Sequence, residues 1–261
     1  MTDHPATGSV PSVPLATGDR GAWPVGRALL VTLVVFGGGQ VLGLALLQAG
    51  SGWLLGWGAV LDPGAVGRLS TQAQQWLVIG IQLVITLAEL VLVWVIANRD
   101  GERREVLSLR WPAYGPIDWI RVTAMVFGVK IAVSAVILPF AGDGSTAKDL
   151  KPFIELAKDN GLWLAFLVAA VVGAVVEEFV FRGILSRSLE ATRLGLWGGA
   201  VTASAIFAVV HLQYGIAGQL VVFVLGMAFA LLRATSGSIW PGVVTHALNN
   251  AVALVAMKVV A

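Results

Sequence analysis

The run Gly161–Leu185, GLWLAFLVAAVVGAVVEEFVFRGIL, constrains this chain more than any other stretch. It is apolar almost throughout and long enough to cross a bilayer, which takes about 20 apolar residues. It nevertheless contains Glu177, Glu178 and Arg182. A charge at that depth costs at least ~2.5–3.5 kcal/mol on insertion scales. Arg182 follows Glu178 by four residues, so the two share a helix face and can pair. Glu177 is turned about 100° from Glu178 and needs a partner from another helix. A structural ion pair that locks helix packing is the plain alternative. Ionisable residues inside a span are by default read as functional.

The rest of the chain offers such a helix the surroundings it needs. It is 57% hydrophobic and 12% charged, with a mean hydropathy of +0.84, whereas a soluble domain is roughly 25% charged. The apolar runs are continuous rather than alternating, which favours an all-α, polytopic transmembrane helix bundle over a β-barrel. A net charge of +2 is too small to suggest nucleic acid as a partner. The absence of cysteine excludes disulfides, thiolate metal sites and a cysteine nucleophile.

Residues 1–24 are rich in Pro, Thr, Gly and Ser and lack a basic start followed by an apolar core. They read as a disordered tail rather than a signal peptide. Residues 25–160 then hold three spans with polar connectors: Val25–Ala49, Trp76–Ala97 and Ile117–Phe140. Between the first two lies a connector with Trp53, Trp57 and the turn signal Asp62-Pro63-Gly64. A basic loop, Asn98–Pro116, and a polar connector, Gly142–Asn160, follow the second and third. Glu89 and Lys130 fall near mid-depth of the second and third spans, where they could pair with each other; snorkelling or a structural pair is favoured over a role in chemistry. Residues 161–261 hold four more membrane helices: the charged run, then Leu194–Leu212, Ile216–Leu232 and Trp240–Val260. That makes about seven spans, with no repeat relating the halves. Ten arginines fall on the amino-terminal side of such a bundle and five basic residues on the other, so the positive-inside rule places the amino terminus in the cytoplasm.

The polar groups that chemistry needs lie in the carboxy-terminal half. His211 follows Phe207 by four residues, and Asn250 follows His246 by four. A lone histidine on an apolar helix is usually a packing residue. Here two such helices accompany a third with paired glutamates, so Glu177, Glu178, Arg182, His211, His246 and Asn250 could line one internal cavity. No serine sits in a G-x-S-x-G elbow, and no span carries two aspartates. What remains is water activated by a glutamate. A histidine can hold that water, and histidine and asparagine side chains can donate to an oxyanion. Alternatively, Glu177, His211 and His246 could bind a divalent metal such as zinc, although HExxH spacing is absent.

EEFVFRG, FAVVH and HALNN, in this order, resemble the E-E-x-x-x-R, F-x-x-x-H and H-x-x-x-N motifs of the CAAX-protease and bacteriocin-processing (CPBP, or Abi) family of intramembrane endopeptidases. The resemblance covers roughly Leu162–Leu254, with no departure at the motif positions. It implies that Glu177 activates water, with Glu178 and Arg182 orienting the site. Phe207 walls the pocket, His211 positions the water, and His246 and Asn250 stabilise the oxyanion. The implied activity is hydrolysis of a peptide bond in a membrane-associated protein or peptide. It needs either no cofactor or zinc, in the plasma membrane of a prokaryote. A non-catalytic immunity or scaffold protein, or a transporter using Glu89, Lys130 and Glu177 as a proton relay, are the alternatives. Depth imposes one condition. Glu177 lies about 12 Å and His211 about 25 Å from the cytoplasmic ends of their expected spans, so the fifth helix must tilt or begin outside the bilayer.

Overall fold

The structure, a computed structural model, describes residues 22–56, 62, 64–98, 103–140, 154–155, 158–211 and 213–260. The expected disordered tail lies outside the described residues up to residue 21, as do Trp57, Pro63, Leu212 and most of the connector 142–160. No strand occurs among the described residues. The chain is an integral membrane bundle of helices.

Seven helices organise it. α1 (Val25–Leu55) runs past its expected end and contains one wide π turn at Leu33–Gly37. α2 (Thr71–Ala97) starts five residues earlier than expected because the Ser70 hydroxyl caps it, accepting from the Ala73 N–H at 3.2 Å. α3 spans Pro116–Ile137 and α4 spans Gly161–Glu190. α5 (Gly195–Val209), α6 (Ile216–Ser236) and α7 (Trp240–Val260) complete the bundle. Six of the seven are long and apolar enough to cross a membrane. The exception is α5, whose 15 residues reach only about 22 Å.

α4 is the axis. In its most apolar window 39% of residues are buried, against 6% for α3. Asp159 caps it, accepting from the Leu162 N–H at 2.9 Å, and that bond holds the Asp159 carboxyl below the ordinary carboxylate range. α7 packs antiparallel along one side of α4, with the Trp163 indole donating to the Leu254 carbonyl at 3.3 Å near the far end. α2 covers another side, and α5 folds back against the last turns. From Glu178 to Ser186 α4 widens into a π-helix in which every residue is buried. Phe179, Val180, Phe181, Ile184 and Leu185 form the core here with Val93, Phe207 and Ile239. Gly183 lets the loop after α2 press in, since a Cβ there would stand 3.1 Å from the Leu107 Cα.

The length of α4 resolves the depth condition. It continues past Leu185 to Glu190, so Glu177 lies about 20 Å from the turn that follows. Gly195, at φ +59°, closes that turn and starts α5, and His211 lies about 24 Å along the returning chain. The two residues therefore reach similar depth. Below them, Glu190 pairs with Arg233 of α6 and accepts from the Ser186 hydroxyl at 2.7 Å, fastening the ends of α4 and α6. A Cβ on Gly199 would meet the Glu190 backbone at 2.7 Å, so only glycine lets α5 pack so close to this joint.

Glu89 and Lys130 do not pair with each other. Lys130 donates to Asn249 Oδ1 of α7 at 2.6 Å. Glu89 packs against Gly39 of α1 and lies within Coulombic range of Glu177. α3 packs on α6 and α7, so its lysine faces a different neighbour from α2.

Candidate active site

Six of the seven expected site residues come together where α4, α5 and α7 meet. Glu178 and Arg182 pair as their spacing predicts, with Arg182 Nη1 donating to Glu178 Oε1 at 2.9 Å. Both are sealed, at 0% and 2% side-chain exposure. Aromatic faces surround the guanidinium, with the ring centres of Phe207, Phe229 and Phe181 at 4.2, 5.3 and 5.9 Å from Cζ. Their negative faces help to offset the desolvated charge.

The imidazole of His246 bridges the two glutamates. Its Nδ1 is 3.0 Å from Glu178 Oε1, and its Nε2 is 3.6 Å from Glu177 Oε2. Because adjacent positions on a helix point about 100° apart, one ring reaching both carboxylates has to enter between them. Phe229 of α6 stacks on this ring at 4.9 Å, and Gly242 leaves room for the Glu178 carboxylate, which a Cβ would meet at 2.7 Å. His211 approaches from the end of α5. Its Nδ1 is 2.7 Å from the Phe207 carbonyl, which can only accept, so Nδ1 carries the proton. In the neutral ring Nε2 is then an acceptor, and it lies 4.0 Å from Glu177 Oε2. Phe207 meets the His211 ring edge-on at 4.5 Å and fixes its plane.

Glu177 Oε2 is thus approached by two imidazole nitrogens, is itself out of solvent, and has no hydrogen-bond partner among the described residues. Orphaned buried carboxylate oxygens are rare and costly, and they mark sites that receive something in function. Asn250 stands apart from this group. Its amide donates to the Ala170 carbonyl of α4 at 3.2 Å, and its oxygen accepts from Asn249. Among the described residues no group of three or more His, Asp or Glu side chains is arranged to hold a metal ion. The separations of 4.0 and 3.6 Å exceed the ~3.3 Å edge of a tetrahedral zinc site.

Residues 159–252 match the sequence profile of the family described as type II CAAX prenyl endopeptidase Rce1-like. This stretch holds all three motifs and the whole charged cluster. This match supports a CPBP assignment for the carboxy-terminal helices. A relative is the Bacillus subtilis (strain 168) protein named "Putative membrane peptidase YdiL", 26% identical over 153 residues. That match spans 58% of this chain and 58% of the relative. No solved structure matches significantly.

The sequence pattern missed two participants, Phe229 and Gly242, and one contact between residues it did name. The bridge from His246 to Glu178, the stacking of Phe229, and the space left by Gly242 depend on which helices touch. The spacing of Gly242 and His246, four residues apart on α7, was the available hint that one face of that helix meets the glutamates.

Proposed function

We propose that this protein is an intramembrane endopeptidase that hydrolyses a peptide bond of a membrane-associated protein or peptide with water activated by Glu177. The observation that carries the reading is the unpartnered Glu177 Oε2, 4.0 Å from the acceptor nitrogen of His211. A water making bonds of about 2.8 Å to both would subtend close to 90° between them, near its own H–O–H angle. Its two protons would be held by Glu177 and His211, leaving a lone pair free to attack a carbonyl carbon.

In the attack Glu177 takes one water proton while the new C–O bond forms, and the carbonyl π electrons move onto oxygen. The oxyanion is stabilised by donors on α7. His246, with Nδ1–H given to Glu178, presents Nε2–H in its protonated form. Asn250 is the second donor once the oxyanion replaces the Ala170 carbonyl as its acceptor. Collapse of the tetrahedral species breaks the C–N bond, and Glu177 returns the proton to the leaving amine. Glu178 and Arg182 act by holding His246 in register. Phe207 holds His211. The spacing around Glu177 suits a bridging water rather than a shared ion, so the proposal routes no step through a metal.

The membrane around the site excludes bulk water, which strengthens each of these interactions. The site opens to the cytoplasmic side in this proposal, with the amino terminus on that side, in the plasma membrane of a prokaryote. The test is cleavage of a membrane-peptide library by purified protein, wild type against Glu177→Gln and His211→Ala, with and without chelator. Cleavage lost in both variants and kept in chelator supports the reading. Cleavage lost in chelator and restored by zinc moves Glu177, His211 and His246 into a metal site. Equal product from all three proteins overturns the catalytic assignment in favour of a binding or transport role.

A further inference from the structure

The loop between α2 and α3 is pinned to the core. Its Ser108 carbonyl accepts from the Ile239 N–H at 3.0 Å, and its Leu109 carbonyl accepts from the Trp240 indole at 3.2 Å. Between this loop and the ends of α2 and α7 lies a cavity of about 580 Å³, lined by Trp94, Asn98, Arg103, Arg104, Leu109 and Trp240, together with Glu105. Arg103 lies over the Trp94 ring, its Cζ 3.9 Å from the ring centre, so the ring holds the guanidinium in place. Its Nε is out of solvent and has no hydrogen-bond partner among the described residues. Neither Arg103 nor Arg104 belongs to an ion pair among the described residues, whereas Glu105 is already engaged by Arg110 at 2.6 Å. Glu105 also lies within Coulombic range of Arg187, as do Arg110, Arg233 and Glu190. Among the described residues of the region arginines outnumber carboxylates, and neither Arg103 nor Arg104 is paired with a carboxylate.

Position narrows the ligand. Trp94 lies three residues from the end of α2, and Trp240 is the first residue of α7. Tryptophans at span ends mark the level of the lipid head groups. A planar guanidinium held by a ring presents paired donors to a phosphate, and the apolar surfaces of Trp94, Leu109 and Trp240 suit the glycerol and upper acyl carbons. We infer that this pocket binds the phosphate head group of an anionic membrane lipid from the leaflet on the basic side of the protein.

The test uses the full-length protein in neutral detergent, mixed with equal amounts of phosphatidylglycerol and phosphatidylcholine, with retained lipid counted by native mass spectrometry. Wild type should keep phosphatidylglycerol preferentially. Arg103→Gln with Arg104→Gln should weaken that binding about 25-fold, while Arg68→Gln on the far side should leave it unchanged. Arg103→Lys, which keeps the charge and loses the stacked fork, should lie between, so the result does not depend on one variant folding. Equal retention of both lipids, or unchanged retention in the double variant, overturns the inference. Displacement by millimolar inorganic phosphate would reassign the pocket to free phosphate, and displacement by a soluble peptide with a free carboxylate would reassign it to a peptide end. Each of these outcomes overturns the lipid. None is read from proteolysis, so failure here and failure of the protease reading remain distinct.

Discussion

Replacing Arg182 by methionine tests whether the sealed ion pair is a working part of the fold. The substitution keeps much of the volume among Phe181, Phe207 and Phe229 and removes the charge. It leaves Glu178, 0% exposed, without the guanidinium, with His246 as its remaining partner. Breaking a buried pair from one side costs about 3–5 kcal/mol, because the remaining charge is uncompensated. Removing both partners, as Glu178→Leu with Arg182→Met, abolishes that stranded charge. What remains is the Nδ1 of His246, which loses its acceptor at 3.0 Å and contributes a cost of about 1–3 kcal/mol. The double variant should therefore be more stable than Arg182→Met alone. Chemical denaturation in detergent, followed by helical circular dichroism, measures the difference. A double variant as destabilised as the sum of the two single variants would refute the argument, and so would an Arg182→Met cost below about 1 kcal/mol.

Glu177→Gln should leave the unfolding midpoint near wild type and reduce peptide hydrolysis by about 10²–10⁴-fold, as expected for loss of a general base; retained hydrolysis contradicts the assignment. Gly242→Ala places a methyl 2.7 Å from Glu178 Oε2, so it should lower thermal stability and activity together, and an unchanged midpoint would count against the tight packing of α4 on α7. Phe229→Ala should lower activity with every motif residue intact, since it removes the ring stacked on His246; unchanged turnover would show that the stacking is dispensable. For Asp159 the folded carboxyl titrates below the unfolded one, so its contribution is present above about pH 4 and is lost as pH falls through the lower folded value. Asp159→Asn should flatten the stability profile in that acid window, with any loss of stability showing near neutrality, where the ionised cap contributes, and vanishing below the folded value.

Much of the site was legible because its logic is local. The spacing of Glu178 and Arg182 predicts a pair, and two carboxylates inside an apolar helix predict partners elsewhere. His211 and His246 were the histidines placed to serve. The part that resisted was the choice of neighbours. Glu89 and Lys130 lie at matching depth on consecutive helices, yet α3 turns Lys130 toward Asn249 of α7. Asn250 carries the expected motif position, but its amide satisfies a carbonyl of α4, a need visible only once α4 and α7 are packed. The wide π stretch of α4 was not legible because all nine of its residues are buried, so its polar Glu178, Arg182 and Ser186 mark no solvent face from which the pitch could be read.

The shortness of α5 gives the bilayer itself a part in how that helix is seated. A helix of about 22 Å leaves roughly 8 Å of a 30 Å hydrocarbon slab unspanned, and His211 stands at the edge of that gap. Backbone polar groups beyond a helix end cannot face lipid tails, so head groups and water must dip inward to meet them. The expected consequence is a local thinning of the bilayer at the His211 end of α5, on the face away from the turn that joins α4 to α5, so bilayer thickness should govern how that end is seated. Lipids with longer chains would fill the dimple and raise the cost of seating that helix end. Shorter ones would lower it.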